Sequence, residues 1–160
     1  MTTYLTKNLY VLRRKEVKVL LLKLKEQWGF EGELDYVFLK GKEDKIFIAT
    51  RDITKIEWDN IRINSSGIYI AKETNGQVRL SIEGSQLIGP HATKNVIEIS
   101  EKLARLWMKG YNIPFDEEKG EELKGFQIMK CKDDFMATGI FKENRMLNFV
   151  PKNRRISSSD

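Results

Sequence analysis

The 160-residue sequence contains one cysteine, one histidine and three prolines, and it has no long apolar run. A single cysteine excludes an internal disulfide and is compatible with a reducing cytosol. One histidine and one cysteine are too few ligands for a structural zinc site. No apolar run approaches the roughly 18 residues of a membrane span, and residues 1–7 lack the apolar core of a signal peptide. We therefore expect a cytoplasmic protein with no membrane segment, no metal and no cofactor.

Charged residues are abundant and are biased towards lysine and arginine. They make up 32% of the chain, with a net charge of +5 and a pI near 9.2, against about 25% charged residues in ordinary domains. Lysine and glutamate enrichment is typical of heat-adapted proteins, while a basic balance favours a polyanionic partner. Composition alone leaves both explanations open. The 41% hydrophobic content excludes wholesale disorder, and the length allows one domain or two small ones.

The first half of the sequence predicts a helix packed on an antiparallel sheet. Five apolar residues recur at helical spacing within residues 14–28 and Gly29 supplies a stop: Val17, Leu20, Leu21, Leu24 and Trp28. Alternating runs predict strands at residues 34–40, 45–50, 60–64, 67–72 and 77–82, with a helical turn at 53–58. Asn75-Gly76 between two such runs is a strong hairpin signal.

The second half begins with an irregular segment and continues with a short strand and a second helix. Gly84, Gly89 and Pro90 punctuate the segment after Glu83. A strand is predicted at residues 96–99. A helix is predicted from Glu101 to Lys109, capped by Ser100, with Leu103, Leu106 and Trp107 facing inward. The loop at residues 111–125 contains the acidic stretch Asp116 to Glu122, which we expect to lie away from any surface that binds nucleic acid.

Three short strands and a basic tail follow between Lys124 and Ile156. Gly139 interrupts the second strand, where a bulge or a close backbone approach is expected. The third strand stops at Pro151, which has no N–H to donate. The sequence contains no acidic residue between Arg145 and Ile156.

These C-terminal stretches resemble a PUA domain, a small RNA-binding β-barrel. The resemblance rests on LWMKGYNIPF, GFQIMKCKDDFMATGIF and LNFVPKNRR, between Leu106 and Ile156. The earlier stretch RLSIEGSQLIGPHATK and the tail VPKNRR look like the PUA-like module associated with Sun/Fmu-type RNA 5-methylcytosine methyltransferases. A second group, the archaeal Nip-type ribosome-biogenesis factors, is also similar.

The expected fold class is α+β. Residues 1–76 are predicted to form the N-terminal helix-on-sheet domain, and residues 77–156 a PUA-like small β-barrel that binds RNA. Residues 157–160 are predicted to be a disordered tail. No repeat, low-complexity segment or linker separates the two halves, so we expect them to share contacts.

A group of cations around the last strand is suited to holding phosphate. It comprises Lys142, Arg145, Lys152, Arg154 and Arg155. A solvated polybasic tail is the alternative explanation. The PUA resemblance implies further RNA contacts at matching positions, namely Arg79, His91, Lys94, Lys109 and Tyr111. Tyr111 would either stack on an unpaired base or close the barrel.

The sequence offers no catalytic constellation. Cys131 and His91 are not spaced in a way that argues for a nucleophile and its base, so a Cys131 that points into the barrel is the favoured interpretation. The chain also lacks the Pro-Cys pair and the Gly-rich loop of the Sun/Fmu catalytic domain. We expect a non-catalytic protein that binds rRNA or tRNA, with an RNA methyltransferase or a pre-ribosomal particle as a further partner. A protein–protein adaptor, an accessory methyltransferase subunit and a small RNA-modifying enzyme are the alternatives.

Overall fold

The computed structural model of the chain describes residues 1–58 and 66–157. The strand predicted at residues 60–64 and the last three residues of the predicted disordered tail lie outside these ranges. Within them the strands are β1 Thr3–Thr6, β2 Leu9–Val11, β3 Val37–Lys40, β4 Lys45–Ala49, β5 Ile68–Thr74, β6 Gln77–Leu80, β7 Val96–Glu98, β8 Ile113–Pro114, β9 Phe126–Cys131, β10 Asp134–Lys142 and β11 Arg145–Asn148. The α-helices are α1 Arg14–Trp28, α2 Ile82–Ile88, α3 Glu101–Met108 and α4 Glu117–Glu121. The α+β prediction is confirmed.

The first sheet is an antiparallel meander of six strands in the order β1-β2-β3-β4-β5-β6. Strands β1 and β2 were not predicted from the sequence. The β5–β6 hairpin turns at Asn75 and Gly76, whose φ angles of 50° and 76° are both positive, as a type I′ turn requires. The predicted domain boundary between residues 76 and 77 falls within this hairpin, so the first sheet continues to Leu80.

Helix α1 packs its apolar stripe on one face of the first sheet. Its bounds match the prediction, and Gly29 ends it with φ 67°, a left-handed conformation that glycine adopts without steric cost. Leu20, Leu24 and Trp28 are buried in the first core. The opposite face of the sheet is also covered, by a smaller cluster of Leu5, Leu9, Leu39, Phe47 and Ile53. Ile53 comes from a 3₁₀ turn at Arg51–Lys55, close to the predicted helical turn.

The side chain of Gln27 continues the hydrogen bonding of the first sheet past its edge strand. Its Nε2 donates to the Val78 carbonyl at 2.9 Å, and its Oε1 accepts from the Val78 amide at 2.7 Å. Because Val78 is fully buried on β6, its backbone groups would otherwise lack partners.

Replacing Gln27 by alanine should lower the free energy of unfolding by about 1–3 kcal/mol, since both backbone groups of Val78 would lose their partner in a buried setting. Urea unfolding measures the change. Glu26→Ala, on the exposed side of the same helix, is the control and should lie within about 0.5 kcal/mol of the wild type. Equal effects of the two substitutions would contradict the role of Gln27 at the sheet edge.

The segment after Glu83 is a helix, which corrects its assignment as irregular. Ser81 Oγ caps α2 by accepting from the Gly84 amide at 3.0 Å. Gly84 fits against β5 so closely that a Cβ there would lie 1.9 Å from the Ile70 carbonyl oxygen. On the other side, Ser85 Oγ accepts from the Ala137 amide of β10 at 2.8 Å. Helix α2 therefore joins the two sheets.

The second sheet is a curled half-barrel with the strand order β7-β9-β10-β11-β8. Strands β7 and β9 run parallel and the other pairs are antiparallel. The close approach expected at Gly139 is present, because a Cβ there would lie 2.7 Å from the Trp107 ring. The register shift of β10 falls instead between Phe135 and Thr138, where Ala137 has φ 64°.

The predicted loop at residues 111–125 contains two short elements, β8 and α4. Helix α4 lies on β10, where Gly120 packs against the Phe141 ring. The Phe115 amide donates to the Asn144 carbonyl in the β10–β11 turn at 3.0 Å. In residues 1–58 and 66–157, no helix is both long enough and apolar enough to cross a bilayer.

Candidate nucleic-acid interface

Helix α3 lies on the half-barrel with two of its side chains turned into the second core. Ser100 Oγ accepts from the Leu103 amide at 3.2 Å and begins the helix, as predicted. Ala104 and Trp107 are buried, and Trp107 Nε1 donates to the Met136 carbonyl at 2.7 Å. Gly110, with φ 94°, turns the chain away after the last helical turn.

The outward side of α3 presents cations at helical spacing. Lys102, Arg105 and Lys109 recur at i, i+3 and i+7, so they share one side of the helix. Leu106 lies on the same side and is 36% exposed, which corrects its predicted inward orientation. Lys102 and Arg105 were missed at the sequence level, although their spacing relative to Lys109 was visible there.

The C-terminal tail brings further predicted residues to the end of α3. The Ile156 amide donates to the Met108 carbonyl at 3.0 Å, and Arg155 Nε donates to the Val150 carbonyl at 3.0 Å. A Cβ on Gly110 would lie 2.3 Å from Arg155 Nε, so the guanidinium of Arg155 packs directly over this glycine. The tail is therefore fixed against the helix.

Tyr111 lies beside the same helix end and is 58% exposed. Its amide donates to the Leu106 carbonyl at 3.2 Å, and its carbonyl accepts from Asn148 Nδ2 at 3.0 Å. The backbone of Tyr111 is thus held while its ring faces solvent. We call the surface formed by these residues the α3 face; it comprises Lys102, Arg105, Leu106, Lys109, Tyr111 and Arg155.

The electrostatic balance of the α3 face is positive. Its neighbouring acid, Glu101, is paired with Lys132. Lys102 and Arg105 form no ion pair within the part of the chain that the structure describes. Cations near the C-terminal end of α3 are also favoured by the helix dipole. The face can therefore offer guanidinium and ammonium groups to an anionic ligand.

Two predicted residues lie instead on the β10–β11 hairpin. Lys142 and Arg145 are cross-strand neighbours on it, and Arg145 is 3.6 Å from the Glu143 carboxylate. The acidic helix α4 packs against Phe141, the residue before Lys142 on β10. The acidic stretch, expected to lie away from any surface that binds nucleic acid, is thus packed on the strand that carries Lys142.

The other tail cations differ in their surroundings. Lys152 is exposed in the 3₁₀ turn Lys152–Arg154. Arg154 forms an ion pair with Glu83 of α2, on the side of the tail that faces the first sheet. The side chains of the consecutive residues Arg154 and Arg155 therefore lie in different places, the first beside α2 and the second at the end of α3.

The remaining predicted residues are spread around the junction of the two sheets. Arg79 on β6 stacks its guanidinium 4.7 Å from the centre of the Phe149 ring. His91 is exposed, with its ring centre 6.2 Å from that of Phe30. Lys94 is exposed and lines a polar pocket with several residues of both halves, including Lys23, Glu26, Lys124 and Glu122.

The predicted position of Cys131 is confirmed, since its side chain is buried in the second core. Among the described residues no group of three or more histidine, cysteine, aspartate or glutamate side chains is arranged to hold a metal ion.

The half-barrel, helix α3 and the docked basic tail together resemble a PUA module. Residues 94–156 match the family model described as the methyltransferase RsmF PUA domain. The match covers less than half of the chain, beginning just before β7 and ending where the tail docks on α3. It includes the whole α3 face and excludes Arg79 and His91. Of the two groups that the sequence resembled, the methyltransferase-associated module is the one supported. No curated protein matches the chain.

Proposed function

We propose that the protein binds structured RNA, either rRNA or tRNA, through the α3 face and does so without catalysing a reaction. The observation that supports this most directly is the basic stripe of Lys102, Arg105 and Lys109 on the exposed side of α3. This stripe lies within the region similar to a methyltransferase PUA domain. An RNA role is consistent with the net charge of +5.

Each residue type on the α3 face has a distinct task in this proposal. Arg105 and Arg155 can fork onto phosphate oxygens, while Lys102 acts as a point charge. The exposed ring of Tyr111 can stack on an unpaired base in a loop or bulge. Binding would therefore combine phosphate contacts, which set affinity, with one aromatic contact that requires single-stranded RNA.

The proposed biological setting is ribosome biogenesis or the modification of rRNA or tRNA. In it the protein would position RNA for an RNA methyltransferase or hold RNA in a pre-ribosomal particle. The similarity of residues 94–156 to a methyltransferase PUA domain supports the first of these two settings.

The test is to replace Lys102 and Arg105 together by alanine and to titrate a labelled stem–loop RNA at several salt concentrations. Both side chains are exposed, so the fold should be retained. If each contacts one phosphate, the slope of log affinity against log salt should fall by about 0.7–0.9 for each contact removed. Affinity at low salt should weaken accordingly.

A matched control removes the same two residue types elsewhere. Arg14→Ala combined with Lys15→Ala takes an exposed arginine and an exposed lysine from the start of α1. This variant should keep most of the wild-type salt slope. If both double variants reduce the slope equally, binding follows net charge alone and the α3 face is not the site. The remaining sequence-predicted residues stay as proposed contacts that the same titration can rank: Arg79, His91, Lys94, Lys142, Arg145, Lys152 and Arg154.

A protein–protein adaptor is the second candidate, and one observation favours it. Helix α1 exposes Val19 and Leu22 on its outer side, with Leu22 59% exposed. Leu22 lines a groove together with Leu21, Lys25 and Phe30, among others. An adaptor would bind its protein partner and retain no RNA in a salt-dependent way, so the titration above also separates these two functions.

A further inference from the structure

A cleft of about 530 Å³ lies between the first sheet and the C-terminal tail. We call it the junction cleft; six of its lining residues matter here, namely Lys45, Phe47, Ile68, Tyr69, Glu83 and Arg154. Its volume falls within the roughly 300–1,000 Å³ of small-molecule sites. It is separate from the α3 face, although the tail contributes to both surfaces.

One wall of the junction cleft is aromatic and apolar. Phe47 and Tyr69 are cross-strand partners on β4 and β5, with ring centres 5.7 Å apart and planes inclined by 50°. The neighbouring Ile68 is 53% exposed, which is high for a large apolar side chain. Phe47 is only 9% exposed, so the half-buried ring of Tyr69 is the surface on which a flat nucleobase can stack.

The opposite wall combines a carboxylate with a guanidinium. Glu83 lies in the first turn of α2 and forms an ion pair with Arg154 of the tail. Both side chains keep part of their surface exposed, 30% for Glu83 and 47% for Arg154. The carboxylate can accept further hydrogen bonds, and the guanidinium has further N–H groups to donate.

A third charge lies beside the aromatic wall. Lys45 Nζ is 5.9 Å from the centre of the Tyr69 ring and 3.7 Å from the Glu43 carboxylate. The charged lining residues are two cations, Lys45 and Arg154, and one carboxylate, Glu83, while Glu43 lies outside the lining and pairs with Lys45. The Lys45 ammonium is placed to meet the phosphate of a nucleotide whose base lies against the aromatic wall.

From this arrangement we infer that the junction cleft binds one unpaired nucleotide of the RNA and selects guanine; the inference rests on the proposed function. Guanine presents N–H donors on its Watson–Crick edge and the O6 and N7 acceptors beside them. The N–H donors of guanine can bond to the Glu83 carboxylate, and its O6 and N7 acceptors can receive hydrogen bonds from the Arg154 guanidinium. Adenine and cytosine place a ring-nitrogen acceptor where the carboxylate needs a donor. Uracil offers only one donor, between two carbonyl groups.

The C-terminal tail connects the junction cleft to the α3 face. Arg154 points to the cleft and Arg155 packs on Gly110 at the end of α3, and consecutive Cα atoms are about 3.8 Å apart. An RNA loop bound at Tyr111 and Arg155 would therefore have a neighbouring nucleotide within reach of the cleft. The α3 face and the junction cleft would then bind nucleotides of the same RNA loop.

The test compares stem–loop RNAs that differ at one loop position, which carries guanosine, adenosine, uridine or inosine. Fluorescence anisotropy at a fixed salt concentration measures each affinity. The wild-type protein should bind the guanosine loop about 10-fold more tightly than the adenosine loop, a difference expected of one matched hydrogen-bonding edge. Inosine, which lacks the 2-amino group, should fall between them.

Glu83→Gln should reduce the guanosine preference to nearly 1-fold, because the amide nitrogen offers a donor where guanine also donates. Glu31→Gln is the matched control, since it makes the same change at a carboxylate paired with Lys25 at 2.8 Å, outside the cleft, and it should keep the preference. Tyr69→Leu retains apolar bulk and should weaken guanosine-loop binding by about 5-fold or more through lost stacking. Circular dichroism melting checks that each variant is folded.

Equal affinity of the wild-type protein for all four loops would overturn this inference and leave RNA binding through the α3 face intact. A guanosine preference that survives both Glu83→Gln and Tyr69→Leu would also overturn it, by placing base selection elsewhere. If the wild-type protein binds none of the four RNAs, the proposed function itself fails.

Discussion

Replacing Trp107 by alanine is expected to lower the free energy of unfolding by about 3–5 kcal/mol. The Trp107 side chain is fully buried in the second core, where its ring lies against Gly139. Its indole N–H also satisfies the Met136 carbonyl, next to the register shift in β10. The substitution therefore leaves a large cavity and an unpaired carbonyl. Guanidinium unfolding measures the loss.

The neighbouring residue provides the control for this prediction. Leu106 is on the same helix and is 36% exposed, so Leu106→Ala should change the free energy of unfolding by much less, about 1 kcal/mol at most. A Trp107→Ala protein with the wild-type unfolding midpoint would contradict the packing of α3 on the half-barrel. Equal losses for the two variants would contradict the orientation of the helix.

Gly84→Ala should destabilise the protein, against the trend of helix propensity. Alanine is favoured over glycine by about 1 kcal/mol inside a helix, so propensity alone predicts a gain. In α2, however, the added Cβ would lie 1.9 Å from the Ile70 carbonyl oxygen on β5. Helix and sheet would have to separate, and overpacking of this kind costs about 1–3 kcal/mol. Thermal unfolding shows whether the substitution lowers or raises the stability of the protein.

Gln86→Ala is the control for Gly84→Ala, because residue 86 is exposed on the same helix. It should leave the free energy of unfolding within about 0.5 kcal/mol of the wild type. A raised melting temperature for Gly84→Ala would mean that α2 does not contact β5 as closely as described, and the join between the two sheets would need revision.

Helices α1 and α2 show which local signals were sufficient for prediction. Helix α1 has an apolar stripe repeated over four turns and a glycine stop, and its bounds were predicted correctly. Helix α2 has seven residues with a glycine as its third residue, and the sequence did not predict it. Glycine is required at this position because β5 lies too close for a Cβ, and local sequence does not encode that distance.

The candidate site was predictable only in part for a similar reason. Lys109 and Tyr111 were identified through the PUA resemblance and Arg155 through the group of cations around the last strand. The structure connects all three at the end of α3. Lys102 and Arg105 were missed because Leu106 was expected to face inward. In an eight-residue helix, Leu103, Leu106 and Trp107 allow more than one inward side. Packing against the half-barrel selects the side that buries Trp107.

The sequence by itself determined the fold class, the long helix, most of the hairpins and the basic character of the C-terminal part. These features depend on the order of apolar residues, on turn residues such as Asn75-Gly76 and on total charge, which are all local or additive. Only the tertiary structure decided that Arg155 packs at the end of α3, that Arg154 pairs with Glu83, and that the acidic helix α4 packs on the strand that carries Lys142. Whether two charges meet depends on how distant segments pack, and a single sequence does not encode that in its spacing.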